Sequence, residues 1–135
     1  GGSRLFLAVA IRQRYPGHAV QAGHITAMCH AGTYLGRFVI VVDEDIDVSN
    51  LEEVIWAAGA RCDPATNIDF IKNAWSSSLD PVISPNDRKA GKLYNSRAII
   101  NACRPFHWKD DFQNVNAPSP TARRKSWERW GHLRD

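Results

Sequence analysis

A chain of 135 residues is long enough to form one domain with a hydrophobic core. Its content of 44% hydrophobic and 23% charged residues is typical of a soluble, ordered protein. A net charge of +3 does not by itself indicate a nucleic-acid-binding protein, which normally clusters its basic residues on one face. No apolar run reaches the roughly 18 residues of a membrane span, and the scattered Cys29, Cys62 and Cys103 predict reduced thiols in a cytoplasmic protein.

The N-terminal third of the chain predicts a βαβ unit. Residues 1–3 lack a methionine and are interpreted as a cloning remnant or a cut end, so the chain is expected to belong to a longer polypeptide. Residues 5–11 are apolar and predict a buried strand, which ends at proline and glycine. Residues 18 to about 30 predict a helix with a moderate amphipathic pattern. A second apolar strand follows within about forty residues, so a right-handed crossover would make the two strands parallel.

That second strand organises the chain. Residues 38–42 are apolar and mostly β-branched, which predicts a central strand buried on both faces of an α/β sheet. Carboxylates follow at its carboxyl end, the edge where open α/β sheets bind ligands. Asp43, Asp45 and Asp47 could hold Mg²⁺ or Ca²⁺, but their spacing matches no known loop motif. We therefore expect these acids to pair with basic neighbours and to cap the next helix, with a metal site as the weaker alternative.

The middle of the chain alternates a clear helix with less regular segments. Ser49 and Glu52 form a capping box that predicts a helix over residues 50–60. Apolar and polar residues alternate weakly over residues 67–71, which is compatible with a strand. Residues 75–91 are rich in Ser, Pro, Asn and Asp and predict a long loop, a feature that is often functional.

The C-terminal part predicts one more strand and one more helix. Residues 97–103 favour a strand, and residues 104–118 an irregular, aromatic-rich arm. Ser119 and Pro120 predict the start of a last helix that ends at Gly131. The fold class expected is α/β (or α+β), with a small, mainly parallel sheet built on the βαβ unit, helices on its faces and a C-terminal helix on an extended arm.

No complete catalytic constellation is visible in the residues themselves. His18 opens the first helix at the carboxyl end of the first strand, where a neutral imidazole could face a ligand. His18, His24 and His30 are spaced by six, not in the i, i+4 pattern of a zinc pair. Cys29 and Cys103 have no positioned base nearby in sequence, which favours buried thiols over nucleophiles.

The last helix carries basic residues and two tryptophans. Such a pattern is compatible with a nucleic-acid surface that combines cations with stacking platforms. The stronger interpretation is a helix that docks both indoles on a protein surface, without nucleic acid. The residues concerned are Arg123, Arg124, Lys125, Trp127, Arg129 and Trp130.

Seven short runs carry a resemblance to a known family. They are QRYPGHA (13–19), GRFVIVVDEDID (36–47), IWA (55–57), RCDP (61–64), NAWSSSLDP (73–81), SRAII (96–100) and RPFHW (104–108). In this order, over nearly all of residues 4–133, the chain resembles the C-terminal domain of the UbiD family of prenylated-flavin-dependent decarboxylases.

The resemblance implies a domain that dimerises and closes over the substrate side of a cofactor. Family members are several times longer, and their N-terminal region binds prenylated FMN with a divalent metal (Mn or Mg) and potassium. That region also carries a Glu-Arg-Glu catalytic network, which has no counterpart here. The full-length protein is thus expected to be a carboxy-lyase for aromatic, heteroaromatic or α,β-unsaturated acids, while this chain alone is expected to bind no cofactor and to be inactive.

The resemblance also implies positions for the site residues. Substrate-pocket candidates are His18, Trp75, Ser76, Ser77, Ser78, Leu79, Phe106 and Trp108. Candidates for the contact in a homodimer are Trp127, Trp130 and Leu133. The expected division is 1–3 as a remnant, 4–118 as the α/β domain and 119–135 as a helix contacting a neighbouring subunit. The alternative is a free-standing α/β binding or assembly module without catalysis.

Overall fold

The computed structural model describes residues 5–113 and 118–131. Its strands are β1 (Phe6–Ile11), β2 (Phe38–Asp43), β3 (Ile68–Trp75) and β4 (Tyr94–Ala102), which form a sheet in the order β1-β2-β4-β3. The pairs β1–β2 and β2–β4 are parallel, whereas β3 runs antiparallel to β4. The predicted α/β fold with a mainly parallel sheet on a βαβ unit is confirmed.

The helices lie around this sheet. They are α1 (His18–Met28), α2 (His30–Thr33), α3 (Leu51–Arg61), α4 (Pro85–Lys89) and α5 (Pro120–Trp130), with a 3₁₀ turn at Phe106–Trp108. α1 covers one face of the sheet and α3 packs against the other. None of the helices in residues 5–113 and 118–131 has the length and apolar character to cross a membrane.

The central position of β2 follows from its composition. The four side chains from Val39 to Val42 are at most 3% exposed, because α1 packs on one face of the strand and α3 on the other. The expectation that residues 5–11 form an equally buried strand is wrong. β1 has a strand neighbour on one side only, and its side chains are half-buried or exposed.

Small residues let α1 approach the sheet closely. Its buried positions are Ala19, Gly23 and Ala27. A Cβ atom on Gly23 would lie 2.4 Å from Cγ2 of Ile99, so only glycine permits this packing distance without a shift. The contact surface of α1 is therefore made of small rather than large apolar residues, which explains its modest amphipathic pattern.

The start of α3 differs from the predicted capping box by one residue. Asn50, not Ser49, is the N-cap, and its Oδ1 accepts a hydrogen bond from the Glu52 N–H at 3.1 Å. Glu53, not Glu52, reaches back, and its Oε2 accepts from the Asp47 N–H at 2.9 Å. Ser49 instead donates its hydroxyl to Asp47, in a turn that is one residue longer than the capping-box spacing assumes.

β3 is longer than the sequence indicates and continues to Trp75. A bulge between Ile71 and Ala74 interrupts the alternation, and Asn73 adopts a positive φ of 57°, which asparagine tolerates better than most residues. The following loop is not wholly irregular, because Ser84 caps α4 within it. β4 likewise begins three residues earlier than predicted, at Tyr94.

The C-terminal helix agrees with its sequence signals. Ser119 is the N-cap, Pro120 occupies the first turn and Gly131 is the C-cap. The Oγ of Ser119 accepts a hydrogen bond from the Ala122 N–H at 3.1 Å. The predicted remnant at 1–3 and the dimer candidate Leu133 lie outside the described residues.

Candidate functional site

The acids after β2 form an ion-pair network at the carboxyl edge of the parallel strands. Asp43 is 3% exposed and accepts hydrogen bonds from Gln13 Nε2 and the Arg104 N–H, both at 2.7 Å. Arg61 bridges Asp43 at 3.3 Å and Asp45 at 2.7 Å. Hydrogen bonding to Arg61 lowers the pKa of Asp45 below its ordinary value. These contacts are the basic pairing that the sequence analysis expects for Asp43 and Asp45.

Asp47 takes no part in that network. It accepts hydrogen bonds from the Ser49 hydroxyl at 2.7 Å and the Ser49 N–H at 2.9 Å, and these bonds lower the pKa of Asp47. Asp43 and Asp45 are thus both engaged by Arg61, whereas Asp47 is engaged by Ser49. Within residues 5–113 and 118–131, no group of three His, Cys, Asp or Glu side chains is arranged to hold a metal ion.

A cleft of about 200 Å³ opens beside the network. Three cationic and three anionic side chains line it, so it has no net preference for an anion. Arg104 lies between the cleft and the buried network, because its Nε contacts Asp43 at 3.2 Å while its side chain is 23% exposed. The charged lining residues are Arg12, Asp43, Glu44, Arg104, Lys109 and Asp110.

His18 lies at the same edge, in the first turn of α1. Its ring stacks on Tyr15 with centroids 4.5 Å apart, and its Nδ1 accepts a hydrogen bond from the Arg14 N–H at 3.3 Å. A neutral imidazole with Nδ1 as acceptor carries its proton on Nε2. His18 thus presents a hydrogen-bond donor to a shallow cavity of about 310 Å³ that it shares with Tyr15 and Gln21.

The predicted pocket residues divide between two edges of the sheet. Phe106 and Trp108 follow β4 and lie with His18 at the carboxyl edge. Trp75 pairs with Tyr94, the first residue of β4, so the loop that follows Trp75 leaves from the opposite, amino edge. The length of β4 separates the two groups by roughly 25–30 Å at about 3.3 Å per residue. Within one chain these residues cannot line a single pocket.

The side chains of two of the loop candidates are hydrogen-bonded within the loop itself. Ser76 and Ser77 are buried, with Ser76 donating to Asp80 at 2.8 Å and Ser77 accepting from the Leu79 N–H at 3.2 Å. Asp80 is fully buried and also pairs with Arg37. The exposed candidates in this loop are therefore Trp75, Ser78 and Leu79.

One buried arginine was not among the sequence candidates. Arg97 lies in β4 at 1% exposure, and its guanidinium donates to the carbonyl oxygens of Gly32 at 3.3 Å and Thr33 at 2.7 Å. It also donates to the carbonyls of Trp75, at 2.5 Å, and Ala27. The available signal was an arginine directly before the apolar residues Ala98–Ile100. Arg97 connects the end of α1, α2 and the end of β3 through main-chain acceptors.

The loop acids predict a measurable acid dependence of stability. Burial of Asp80 acts to raise its pKa, but hydrogen bonds from Val82, Ser76 and Asn95 and the charge of Arg37 outweigh it and lower the pKa. A carboxyl group whose pKa is lower in the folded than in the unfolded state stabilises the fold at pH values above its unfolded pKa of about 3.9. This contribution is lost as the pH falls through the folded-state pKa. We expect Asp80→Asn to flatten the dependence of the unfolding free energy on pH below about 4.

Urea unfolding between pH 2 and pH 5 measures this effect. The control is Asp110→Asn, since Asp110 is exposed in the arm after β4. If the unfolding free energy of Asp80→Asn depends on pH as steeply as that of the parent protein, the role given to this carboxylate is contradicted.

Comparison with known proteins adds a family match. The model of the 3-octaprenyl-4-hydroxybenzoate carboxy-lyase C-terminal domain matches residues 1–102. A protein of Aeropyrum pernix without an assigned function is 31% identical over 131 residues, which cover 91% of this chain and 24% of that protein. A phenolic acid decarboxylase of Sedimentibacter hydroxybenzoicus is 28% identical over 120 residues, with 89% and 24% covered.

The fold recurs in a solved enzyme. The UbiD-class enzyme HmfF of Pelotomaculum thermopropionicum, in complex with FMN, superposes with a TM-score of 0.69 at 23% identity over 86% of this chain and 24% of that one. An evolved dimeric form of the same enzyme, in complex with prFMN, gives 0.56 at 20% identity over 84% and 20%. The chain therefore spans about a quarter of the length of the proteins it matches.

Proposed function

We propose that this chain, which belongs to the UbiD family as a C-terminal domain, is the substrate-side and dimerising domain of a prenylated-FMN-dependent decarboxylase. The observation that carries the proposal is the family match over residues 1–102, joined to the same fold in a UbiD-class enzyme. The remaining part of the polypeptide would supply the flavin-binding and catalytic region.

The proposed reaction is the reversible, non-oxidative decarboxylation of an aromatic, heteroaromatic or α,β-unsaturated carboxylic acid. The name of the Sedimentibacter relative, a phenolic acid decarboxylase, supports an aromatic substrate. The share of this chain in the reaction is to orient the acid and exclude water from it, which lowers the barrier without any group of this chain entering the chemistry.

The cofactor would be held outside this chain. Asp43 and Asp45 are engaged by Arg61, and Asp47 by Ser49, so these acids do not fit a site for a divalent metal. Prenylated FMN with Mn or Mg and potassium is therefore assigned to the N-terminal region of the full-length protein. When bound there, the flavin supplies an electron sink for the carbanion left by carbon dioxide.

Of the candidate pocket residues, we assign the carboxyl-edge group to the substrate. His18 offers an Nε2 donor that suits a hydroxylated or heteroaromatic ring, and Phe106 and Trp108 offer aromatic surface at the same edge. The amino-edge residues Trp75, Ser78 and Leu79 could border that pocket only if another part of the polypeptide or a second subunit brought the two edges together.

The test compares this chain with the whole polypeptide. We expect the 135 residues alone to purify without flavin absorbance and to release no carbon dioxide from a panel of aromatic and unsaturated acids. The whole polypeptide, produced together with prenylated FMN, should decarboxylate at least one of them. Stoichiometric flavin on the short chain, or turnover by it, would contradict the proposal.

The alternative is a free-standing α/β binding or assembly module. The intact mass of the natural gene product separates the two functions. A product of the size of this chain, without decarboxylase activity, would favour the module.

A further inference from the structure

The two faces of the sheet are covered to different extents. On the face of α1, Val39, Val41 and Ile99 are buried along the length of the strands, and Arg97 fills the amino half. On the other face, α3 packs against Ile40, Val42 and Ala102, which lie in the middle and carboxyl parts of the strands. α3 has 11 residues and is about 16 Å long at 1.5 Å per residue, so within residues 5–113 and 118–131 the amino part of this face is left uncovered.

An aromatic row crosses the uncovered part. Strand register pairs Phe6 with Phe38, Phe38 with Ala98, and Ala98 with Phe70, so the four side chains point to one face of the sheet. The rings of Phe6 and Phe38 contact each other with centroids 6.4 Å apart. We name Phe6, Phe38, Ala98 and Phe70 the phenylalanine row.

The phenylalanine row is exposed to an extent that needs explanation. Phe6 is 38% exposed, Phe38 43% and Phe70 68%. At 150–250 Å² per aromatic side chain, these fractions together leave roughly 300 Å² of apolar surface exposed, which is comparable to the largest apolar patch of a typical monomer, a feature that is often functional. No charged side chain belongs to the row, so a partner that fits it must itself be apolar.

We propose that the phenylalanine row is the docking surface for the part of the same polypeptide that precedes this chain. This inference rests on the proposed function, because it needs the longer polypeptide. The relatives are about four times as long as the matched segment, and the match is to a C-terminal domain, so most of their length lies upstream. β1 begins at Phe6, the first member of the row, so a preceding part of the polypeptide would connect to this domain beside the row.

A second copy of this chain is the less suitable occupant of the row. The two tryptophans of α5 border a cavity that also contains Asn50 and Glu52, at the start of α3. The start of α3 follows the carboxyl end of β2, whereas the row crosses the amino ends of β1 and β2. The two apolar surfaces therefore lie towards opposite edges of the sheet and fit two different partners.

Cysteine alkylation in the whole polypeptide tests the inference. Phe70→Cys replaces the most exposed member of the row, and Ser96→Cys places a thiol on the same face of β4 with all three phenylalanines intact. The control is Asn86→Cys in the exposed α4. Maleimide alkylation, resolved by peptide mass spectrometry from the three native cysteines, gives the rate at each site.

In the whole polypeptide we expect both row variants to react about ten-fold more slowly than the control, the factor that ~1.4 kcal/mol of docking free energy provides. In the short chain at low concentration, the same sites should react at the rate of the control. Equal rates in both proteins would overturn the inference, as would protection in the short chain that increases with its own concentration. A whole polypeptide that decarboxylates but alkylates freely refutes only the docking surface, whereas a protected but inactive one refutes only the function.

Discussion

Replacing Arg97 with methionine is expected to lower the free energy of unfolding by about 3–5 kcal/mol, because several hydrogen-bond acceptors lose their donor and each buried acceptor left unpaired costs roughly 1–3 kcal/mol. Arg97 is 1% exposed and donates to the carbonyls of Ala27 and Gly32 in buried hydrogen bonds. Its hydrogen bonds to the carbonyls of Thr33 and Trp75 are partly buried. Methionine keeps much of the volume but donates nothing, so several buried acceptors lose their partner. Since a domain of this size is stable by only about 5–15 kcal/mol, this loss is a large fraction of the total and should clearly lower the urea midpoint.

Urea unfolding of matched variants checks this expectation. Arg12→Met is the control, because Arg12 is 66% exposed and pairs with Glu44 at the surface, where such a pair contributes about 0–1 kcal/mol. Arg97→Lys should fall between the two, since an ammonium group reaches fewer of the carbonyls than the planar guanidinium does. An Arg97→Met protein as stable as the Arg12→Met protein would contradict the structural role of Arg97.

Elements with a strong local signal were predicted correctly from the sequence. β2 is a run of apolar, mostly β-branched residues that ends in carboxylates, a pattern typical of a strand buried on both faces, and the structure confirms its central position. α5 was predicted from Ser119, Pro120 and Gly131, three residues whose backbone preferences determine where a helix begins and ends. In both cases the information lies within a few neighbouring residues.

Properties that depend on a distant partner were not predicted. β1 has the same apolar composition as a central strand, but its burial depends on whether a second strand pairs with its outer edge. The N-cap of α3 is Asn50 and not the predicted Ser49, because the conformation of the turn after Asp47 determines which side chain reaches the helix amides.

The arrangement of the candidate site was the least predictable feature. The weak alternation of apolar and polar residues predicted that β3 exists but not its direction. Because β3 is antiparallel to β4, Trp75 and Leu79 lie at the amino edge of the sheet. Arg97 was missed because an arginine in a strand is usually exposed, and its acceptors come from α1, α2 and β3, which only the three-dimensional fold brings together. Sequence position and family resemblance named the residues, but the topology decides which of them can meet.

The two tryptophans of α5 are expected to mediate association of the chain. Trp127 is 62% exposed and Trp130 54%, and the spacing of three places them on neighbouring positions of the helix surface. Each indole offers roughly 150–250 Å² of area to bury. The third candidate in this region, Leu133, lies outside the described residues, so the expectation depends on the two indoles.

Light scattering at micromolar concentration should therefore find a homo-oligomer, in the simplest case a twofold dimer. Trp127→Ala with Trp130→Ala should weaken association by several kcal/mol, because buried aromatic anchors dominate the energetics of protein interfaces. The control is Lys125→Ala, which is exposed on the same helix and should change the free energy of association by no more than a few tenths of a kcal/mol. A parent chain that is monomeric at this concentration would contradict the expectation. A dimer that tolerates the double substitution would place the contact on the sheet or on the other helices, and the exposed Leu51 and Ile55 of α3 would then be the next residues to replace.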